Sequence, residues 1–176
     1  MGSNRIESVT VVVPVKNEEA NLPICLSALK RFENVVVVDS GSTDETEAIA
    51  DSFGAKFINF EWDGEFPKKR NWVLRNFQFT TQWVLFLDAD EVVDDEFCDE
   101  LQSKVGSTKC VGLWLNYTNY FMGKKLRHGL PQRKLACFKI GAGEYERIDD
   151  VRWSNLDLVI HEHPFLVGEV GYMRDP

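Results

Sequence analysis

The sequence lacks several features that would assign it to a common protein class. Its four cysteines are widely spaced and form no C-x-x-C pair, so neither a zinc ribbon nor a disulfide framework is indicated, and reduced buried thiols are expected. No apolar run approaches the ~18 residues of a membrane span, and the first residues resemble no signal peptide. The net charge of −8 argues against nucleic-acid binding, which needs a basic surface. These absences leave a globular cytoplasmic protein as the expectation.

The composition is that of one folded domain. The chain has 176 residues, of which 44% are hydrophobic and 12% aromatic, enough for one sizeable core. There is neither an internal repeat nor a low-complexity linker. A single domain over 1–176 is therefore predicted.

Strand and helix patterns alternate through the first half of the chain. Apolar runs predict strands over 9–15, 35–38, 55–59 and 83–87. Helical spacing predicts helices over 18–30, from a capping box at 42–45 to Gly54, over 68–79 and over 94–105. This alternation is typical of a parallel sheet joined by right-handed crossovers, an α/β fold.

The second half has a different pattern. Strands are predicted over 111–117, 134–139 and 156–161, with no strong helix between them. The interpretation is a nucleotide-binding half over about 9–106, followed by a mixed, loop-rich half over 107–176.

The motif Asp88-Ala89-Asp90 follows the apolar run of the predicted strand 83–87. In open α/β sheets, ligands bind at the carboxyl ends of the strands, and paired carboxylates there suit Mg²⁺ or Mn²⁺ bridged to a diphosphate. The alternative is that Asp90 caps the next helix and Asp88 is a solvated strand end. On this motif alone, both interpretations stay open.

Two other strands lead into polar residues that should lie on the same edge. The first runs into 16–19 and the second into 39–42. Convergence of three polar strand ends on one crevice is stronger evidence for a functional site than any single motif.

These segments resemble the successive signatures of one family. The matching segments are 12–18, 36–44, 69–72, 87–91 and 161–163. Together they resemble family 2 glycosyltransferases of the GT-A fold, in particular the bacterial branch with lipopolysaccharide-core glucosyltransferases of the WaaE/KdtX type. The resemblance implies a three-layer α/β/α domain with a mainly parallel, mixed sheet. It also implies transfer from a nucleotide-sugar donor, UDP-linked by expectation, to a bacterial cell-envelope glycan or lipid-linked acceptor.

The resemblance also implies a set of donor-binding residues. The implied set is Pro14, Glu18, Asp39, Lys69, Arg70 and Asp88. The alternative for Asp39 is a turn with Ser40 and Gly41, and the alternative for the two basic residues is a solvated helix face.

Metal and catalytic roles follow from the same resemblance. Asp90 is the implied ligand of Mn²⁺ or Mg²⁺, with His161 or His163 near the metal or diphosphate. An inverting transfer needs a base for the acceptor hydroxyl, for which Glu162 or Asp157 is predicted. The alternative is a histidine pair that caps a strand end without chemistry. A zinc hydrolase is disfavoured, because His-x-His lacks a third ligand at helical spacing.

The acceptor side is predicted in the aromatic and basic segment 120–129. Arg127 and His128 are the candidate contacts there, and the alternative is a strand followed by a basic turn. The chain is short for the family, so a C-terminally incomplete acceptor half is expected, and peripheral attachment to the inner face of the membrane is the accompanying expectation. The oligomeric state is not predicted.

Two other functions are weighed against glycosyl transfer. A sugar nucleotidyltransferase normally has a glycine-rich loop after the first strand, whereas this chain has Pro14-Val15-Lys16-Asn17-Glu18. A non-catalytic nucleotide- or glycan-binding domain predicts donor binding without turnover.

Overall fold

The structure is a computed structural model of the chain. It describes residues 5–63, 66–118, 120–121, 124–125, 132–147 and 163–174. The predicted strand over 156–161 lies outside the described residues.

Eleven strands and four helices occur in the described ranges. The strands are β1 Ile6–Val15, β2 Phe32–Asp39, β3 Lys56–Asn59, β4 Trp83–Phe86, β5 Gly112–Tyr117, β6 Tyr120–Phe121, β7 Lys124–Lys125, β8 Gln132–Lys139, β9 Gly143–Tyr145, β10 Pro164–Leu166 and β11 Val170–Tyr172. The helices are α1 Leu22–Ala28, α2 Thr46–Ser52, α3 Lys69–Asn76 and α4 Asp95–Ser107.

Seven of the strands form one mixed sheet in the order β11-β5-β8-β4-β1-β2-β3. Strands β1 to β4 are mutually parallel where they pair, and β8 is antiparallel to both of its neighbours, β4 and β5. The predicted mainly parallel, mixed sheet is confirmed. The carboxyl ends of β1, β2 and β4 consequently lie at one edge.

Alternation along β1 divides the core into two layers. Val11 and Val13 pack with buried residues of α1, α2 and α4 on one face of the sheet. Val12 packs on the other face with Val73 of α3 and with β9. Both faces of the central strand are covered, which explains its near-continuous apolar sequence and gives the predicted three-layer arrangement.

The predicted helix starts need correction. Helix α1 begins at Leu22 rather than at 18, and α2 begins at Thr46 rather than within a capping box at 42–45. Ser42 bonds across the loop instead, and the Asp44 carboxylate accepts from the Thr46 N–H at 3.1 Å. The bond between the two loops at Ser42 and the local Asp44–Thr46 bond thus take the place of the capping box that the sequence pattern indicated.

The predicted buried, reduced thiols are found for three of the four cysteines. Cys25, Cys98 and Cys137 are buried, and Cys110 is only partly buried. Burial raises the pKa of the Cys25 thiol to about 12, helped by the negative charge of Glu91, and raises the pKa of Cys98 to about 11.

We expect Cys110 to react first with iodoacetamide at pH 8. The raised pKa values keep the thiols of Cys25 and Cys98 almost fully protonated at that pH, and both side chains are also sterically protected. Peptide mapping by mass spectrometry checks the order, with a Cys110→Ser variant as the control. Labelling of Cys25 before Cys110 in folded protein would contradict the packing of α1 against the sheet.

No helix in the described part of the chain is both long and apolar enough to cross a membrane.

Candidate functional site

Two loops at the carboxyl edge of the sheet are bonded directly to each other. Asn17, after β1, has a positive φ of 55°, a conformation that asparagine tolerates better than most residues. Its backbone N–H donates to Ser42 Oγ at 2.7 Å, and its side-chain Oδ1 accepts from the Thr43 N–H at 2.8 Å. The Glu18 N–H adds a third bond, to Thr46 Oγ1 at 2.9 Å. The loops after β1 and β2 therefore form one wall of the site.

Asp39 ends β2 inside this wall. It is only 3% exposed, and its carboxylate accepts from both the backbone N–H, at 2.7 Å, and the hydroxyl of Ser42. The turn role that the sequence left open for Asp39 is thus present in the structure. Pro14 is buried in β1 beside β2, and the Glu18 side chain accepts from Asn21 Nδ2 at 2.9 Å.

The two basic residues at the start of α3 lie in different environments. Lys69 is 1% exposed, and its Nζ donates to the Val15 carbonyl at 2.8 Å, so it supports the end of β1 from inside. Arg70 points to the site, where its Nη2 donates to Asp88 Oδ1 at 2.9 Å and its guanidinium lies 5.4 Å from the Tyr145 ring centroid. Neither residue has the fully solvated helix-face position that was the alternative.

A lysine from β8 completes an ionic cluster around Asp88. Lys134 Nζ donates to Asp88 Oδ2 at 3.0 Å and makes a closer bond to Glu91. The other Glu91 oxygen accepts from the Asp88 N–H at 3.0 Å and from the Tyr117 hydroxyl at 3.4 Å. Asp88 therefore lies between two cations, and Glu91 anchors the turn that follows.

In this cluster the pKa of Asp88 is lowered, and the pKa values of Glu91 and Tyr117 are raised. Burial by itself would raise the pKa of Asp88, but the positive charges of Arg70 and Lys134 hold it below its usual range. Burial raises the pKa of Glu91, and the nearby negative charge of Asp88 adds to this, while the bond to Lys134 opposes it. Burial and the negative charge of Glu91 also raise the pKa of Tyr117. Asp88 is thus held as an anion.

Asp90 differs from Asp88 in its surroundings. It is exposed, and among the described residues none is hydrogen-bonded to its carboxylate. Within the described ranges, no group of three or more Asp, Glu, His or Cys residues could hold a metal ion. The carboxylate chemistry nevertheless fits Mg²⁺ or Mn²⁺ held in the manner usual for nucleotide sites, by one or two carboxylates with phosphate and water in the other positions.

The sequence-based search assigned no role to Lys134, Glu91, Tyr117 or Tyr145. Lys134 reaches the site because β8 pairs antiparallel with β4. Leu85 pairs with Cys137, and beyond that pair the two segments stay close enough for Lys134 Nζ to bond Asp88 Oδ2 at 3.0 Å. The sequence did not reveal this partnership because it does not show which strand lies beside β4.

Strands β9 and β10 adjoin the site through Tyr145. The Asn71 side chain donates to the Tyr145 carbonyl and accepts from the Tyr145 N–H, both at 2.9 Å. One residue further along, the Glu146 N–H donates to the His163 carbonyl at 3.0 Å, and the His163 N–H donates to Glu146 Oε1 at 3.2 Å. His163 is exposed there.

The remaining predicted site residues, Arg127, His128, Asp157, His161 and Glu162, lie outside the described residues.

Comparison with known proteins identifies the family. The sequence profile described as Glycosyl transferase family 2 matches residues 10–162, most of the chain. The chain therefore belongs to glycosyl transferase family 2, and the predicted family membership is confirmed.

Individual relatives agree with this assignment. The chain is 29% identical over 166 residues to the lipopolysaccharide core biosynthesis glycosyltransferase LpsC of Rhizobium meliloti, a match covering 90% of this chain and 57% of LpsC. It is 35% identical over 98 residues to a glycosyltransferase of Rickettsia felis, a match covering 55% of this chain and 34% of that protein. Both matches span less than two thirds of the relative's own length.

A solved structure with the same fold is residues 1–349 of S. aureus TarS in complex with UDP-GlcNAc. It is 27% identical, with a TM-score of 0.56, and the match covers 72% of this chain and 37% of that one. The fold predicted from the resemblance is confirmed by this likeness together with the sheet order.

Proposed function

We propose that the chain is the donor-binding part of a metal-dependent, inverting glycosyltransferase. It transfers a sugar from a UDP-sugar to a bacterial cell-envelope glycan or lipid-linked acceptor at the cytoplasmic face of the membrane. The observation that carries the proposal is the convergence of Asp39, Arg70, Asp88 and Asp90 at one edge of the sheet, in a chain of glycosyl transferase family 2. The UDP-GlcNAc complex of TarS supports a UDP-linked donor, and the name of LpsC supports an envelope acceptor.

Different described residues bind different parts of the donor in this proposal. The wall formed by the loops after β1 and β2 holds the nucleoside, with Pro14, Glu18 and Asp39 within it. Asp39 is held in place by Ser42, so its carboxylate is fixed before the nucleoside arrives. Lys69 fixes the end of β1 from below, and Arg70 brings a guanidinium to the diphosphate side next to Asp88. Fixed donors and acceptors of this kind lower the ordering cost of binding.

A divalent cation would be held by Asp90, with His161 or His163 as a further contact. Mn²⁺ or Mg²⁺, when bound, would supply positive charge for the nucleoside diphosphate leaving group. Arg70, bonded to Asp88 Oδ1, would add a positive charge of its own at the diphosphate, because its guanidinium is always charged.

The acceptor hydroxyl loses its proton to a carboxylate in this proposal, either Glu162 or Asp157. Arg127 and His128 contact the acceptor. Inversion follows when the hydroxyl attacks the anomeric carbon from the face opposite the diphosphate. Direct displacement needs no covalent sugar–enzyme intermediate, so one base is sufficient.

Calorimetric titration tests this proposal. The purified chain is titrated with UDP, GDP and their common sugar conjugates, in Mn²⁺ and in EDTA. Binding of UDP compounds that strengthens with Mn²⁺ is expected, followed by release of UDP when a suitable acceptor is added. Failure of folded protein to bind any nucleotide would contradict the proposal. Binding without any turnover by a chain extended to the full length of its relatives would indicate a non-catalytic binding domain.

A further inference from the structure

Lys134 contributes a positive charge to a site rich in negative charge. Its Nζ bonds both Asp88 and Glu91, and it lies 4.9 Å from the centroid of the Tyr117 ring. Asp90 is a third carboxylate in the same turn. The segment 88–91 thus places three acidic side chains at the end of β4, and Lys134 reaches two of them from the neighbouring strand.

The exposure of this ion pair argues against a purely structural role. The Lys134 side chain is 46% exposed and that of Asp88 is 38% exposed. An ion pair as open to solvent as Lys134–Asp88 contributes little to folding stability, because water screens the charges and the lysine loses conformational freedom. The other partner, Glu91, is only 14% exposed. Glu91 also has two other donors, the Asp88 N–H and the Tyr117 hydroxyl, so the turn keeps bonds of its own without the lysine.

The charge of the expected donor gives the lysine a function. A nucleoside diphosphate is an anion and must approach three carboxylates. Each like-charge contact opposes binding. A fixed lysine between two of the carboxylates reduces this repulsion even before a metal ion is bound.

We propose that Lys134 is a donor-binding residue whose ammonium group balances Asp88 and Glu91 and attracts the diphosphate of the donor. This inference rests on the proposed function, since it assumes a diphosphate ligand. It makes two predictions of opposite sign. Removal of the charge weakens binding of the diphosphate anion and strengthens binding of a free divalent cation, because the site becomes more negative.

The experiment compares wild type with Lys134→Gln, Lys134→Arg and the control Lys139→Gln. Lys139 is at the other end of β8, 5.3 Å from the centroid of the Trp83 ring. Each protein is titrated with UDP in EDTA, with uridine in EDTA, and with Mn²⁺ alone. Binding of Mn²⁺ is measured from the electron paramagnetic resonance signal of the free ion. We expect Lys134→Gln to weaken UDP binding by about fivefold and to strengthen Mn²⁺ binding by a similar factor, the order expected for one partly screened unit charge. Uridine binding stays unchanged, Lys134→Arg restores both values, and Lys139→Gln behaves as wild type.

The outcomes separate this inference from the proposed function. If wild type binds UDP and Lys134→Gln binds both UDP and Mn²⁺ with the affinities of wild type, the inference is overturned and the proposed function stands. If UDP, uridine and Mn²⁺ all bind more weakly, Lys134 has a structural role and the inference is again overturned. If wild type binds UDP with Mn²⁺ but not in EDTA, the inference is overturned and the proposed function stands. If wild type binds UDP neither with Mn²⁺ nor in EDTA, the proposed function fails and the inference fails with it.

Discussion

Replacement of Asp90 by asparagine is expected to reduce metal-dependent donor binding and sugar transfer by about 100- to 1,000-fold. The reason is the distribution of partners at the end of β4. Asp88 is held by Arg70 and Lys134, whereas Asp90 is exposed with no described residue bonded to its carboxylate. If Asp90 holds the metal ion as proposed, its loss would remove several kcal/mol of charge stabilisation from the departing diphosphate, and each 1.4 kcal/mol corresponds to about tenfold in rate.

The measurement for Asp90→Asn is UDP affinity with and without Mn²⁺, together with the transfer rate. The fold should be unaffected, since an exposed side chain outside the core contributes little to stability. Asp51→Asn, an exposed aspartate of α2, is the matched control and should bind and transfer as wild type does. Undiminished transfer by Asp90→Asn would show that the metal is not held through this residue.

Replacement of Asn71 by alanine is expected to destabilise the fold by about 2–5 kcal/mol. The Asn71 side chain is 3% exposed and is hydrogen-bonded to both the N–H and the carbonyl of Tyr145. The substitution leaves these two buried backbone groups without partners, each at a cost of about 1–3 kcal/mol. It also loosens Tyr145, which packs under Arg70 and against Phe86 and so supports the site from below.

Urea denaturation followed by circular dichroism measures the effect of Asn71→Ala. Asn76→Ala is the matched control, because Asn76 is exposed on the same helix and its amide bonds only the Trp72 carbonyl one turn earlier. The control should lie within about 0.5 kcal/mol of wild type, as is usual for surface positions. Equal destabilisation by the two variants would mean that the Asn71–Tyr145 contact is not what holds β9 in place.

The edge of the sheet that carries the site could be predicted from the sequence. The runs that end at Val15, Asp39 and Phe86 are apolar on both faces, and this pattern is specific to strands covered by helices on each side. Once the strands are known to be parallel, their polar continuations must lie together. The convergence of segments 16–19, 39–42 and 88–91 could therefore be predicted without any knowledge of interatomic distances.

The bonding within that edge could not be predicted in the same way. Ser42 was assigned to a helix cap but bonds Asp39 and Asn17, and Lys69 was expected beside the donor but lies inside the fold, against the Val15 carbonyl. The Asn17–Ser42 and Lys69–Val15 bonds join residues 25 and 54 apart in sequence, whereas the Asp39–Ser42 bond is a local turn contact. Local patterns give information on contacts of the second kind and none on those of the first.

The sequence by itself determined the family, the α/β architecture and the acidic strand end, because strand periodicity and motif order are properties of consecutive residues. The tertiary structure decided which charges meet. Lys134 bonds Asp88 only because β8 inserts antiparallel between β4 and β5, and Arg70 reaches the same carboxylate only because α3 packs on the face of the sheet that carries Tyr145. Coulomb interactions depend on distance in space, and pairing between strands distant in sequence fixes that distance.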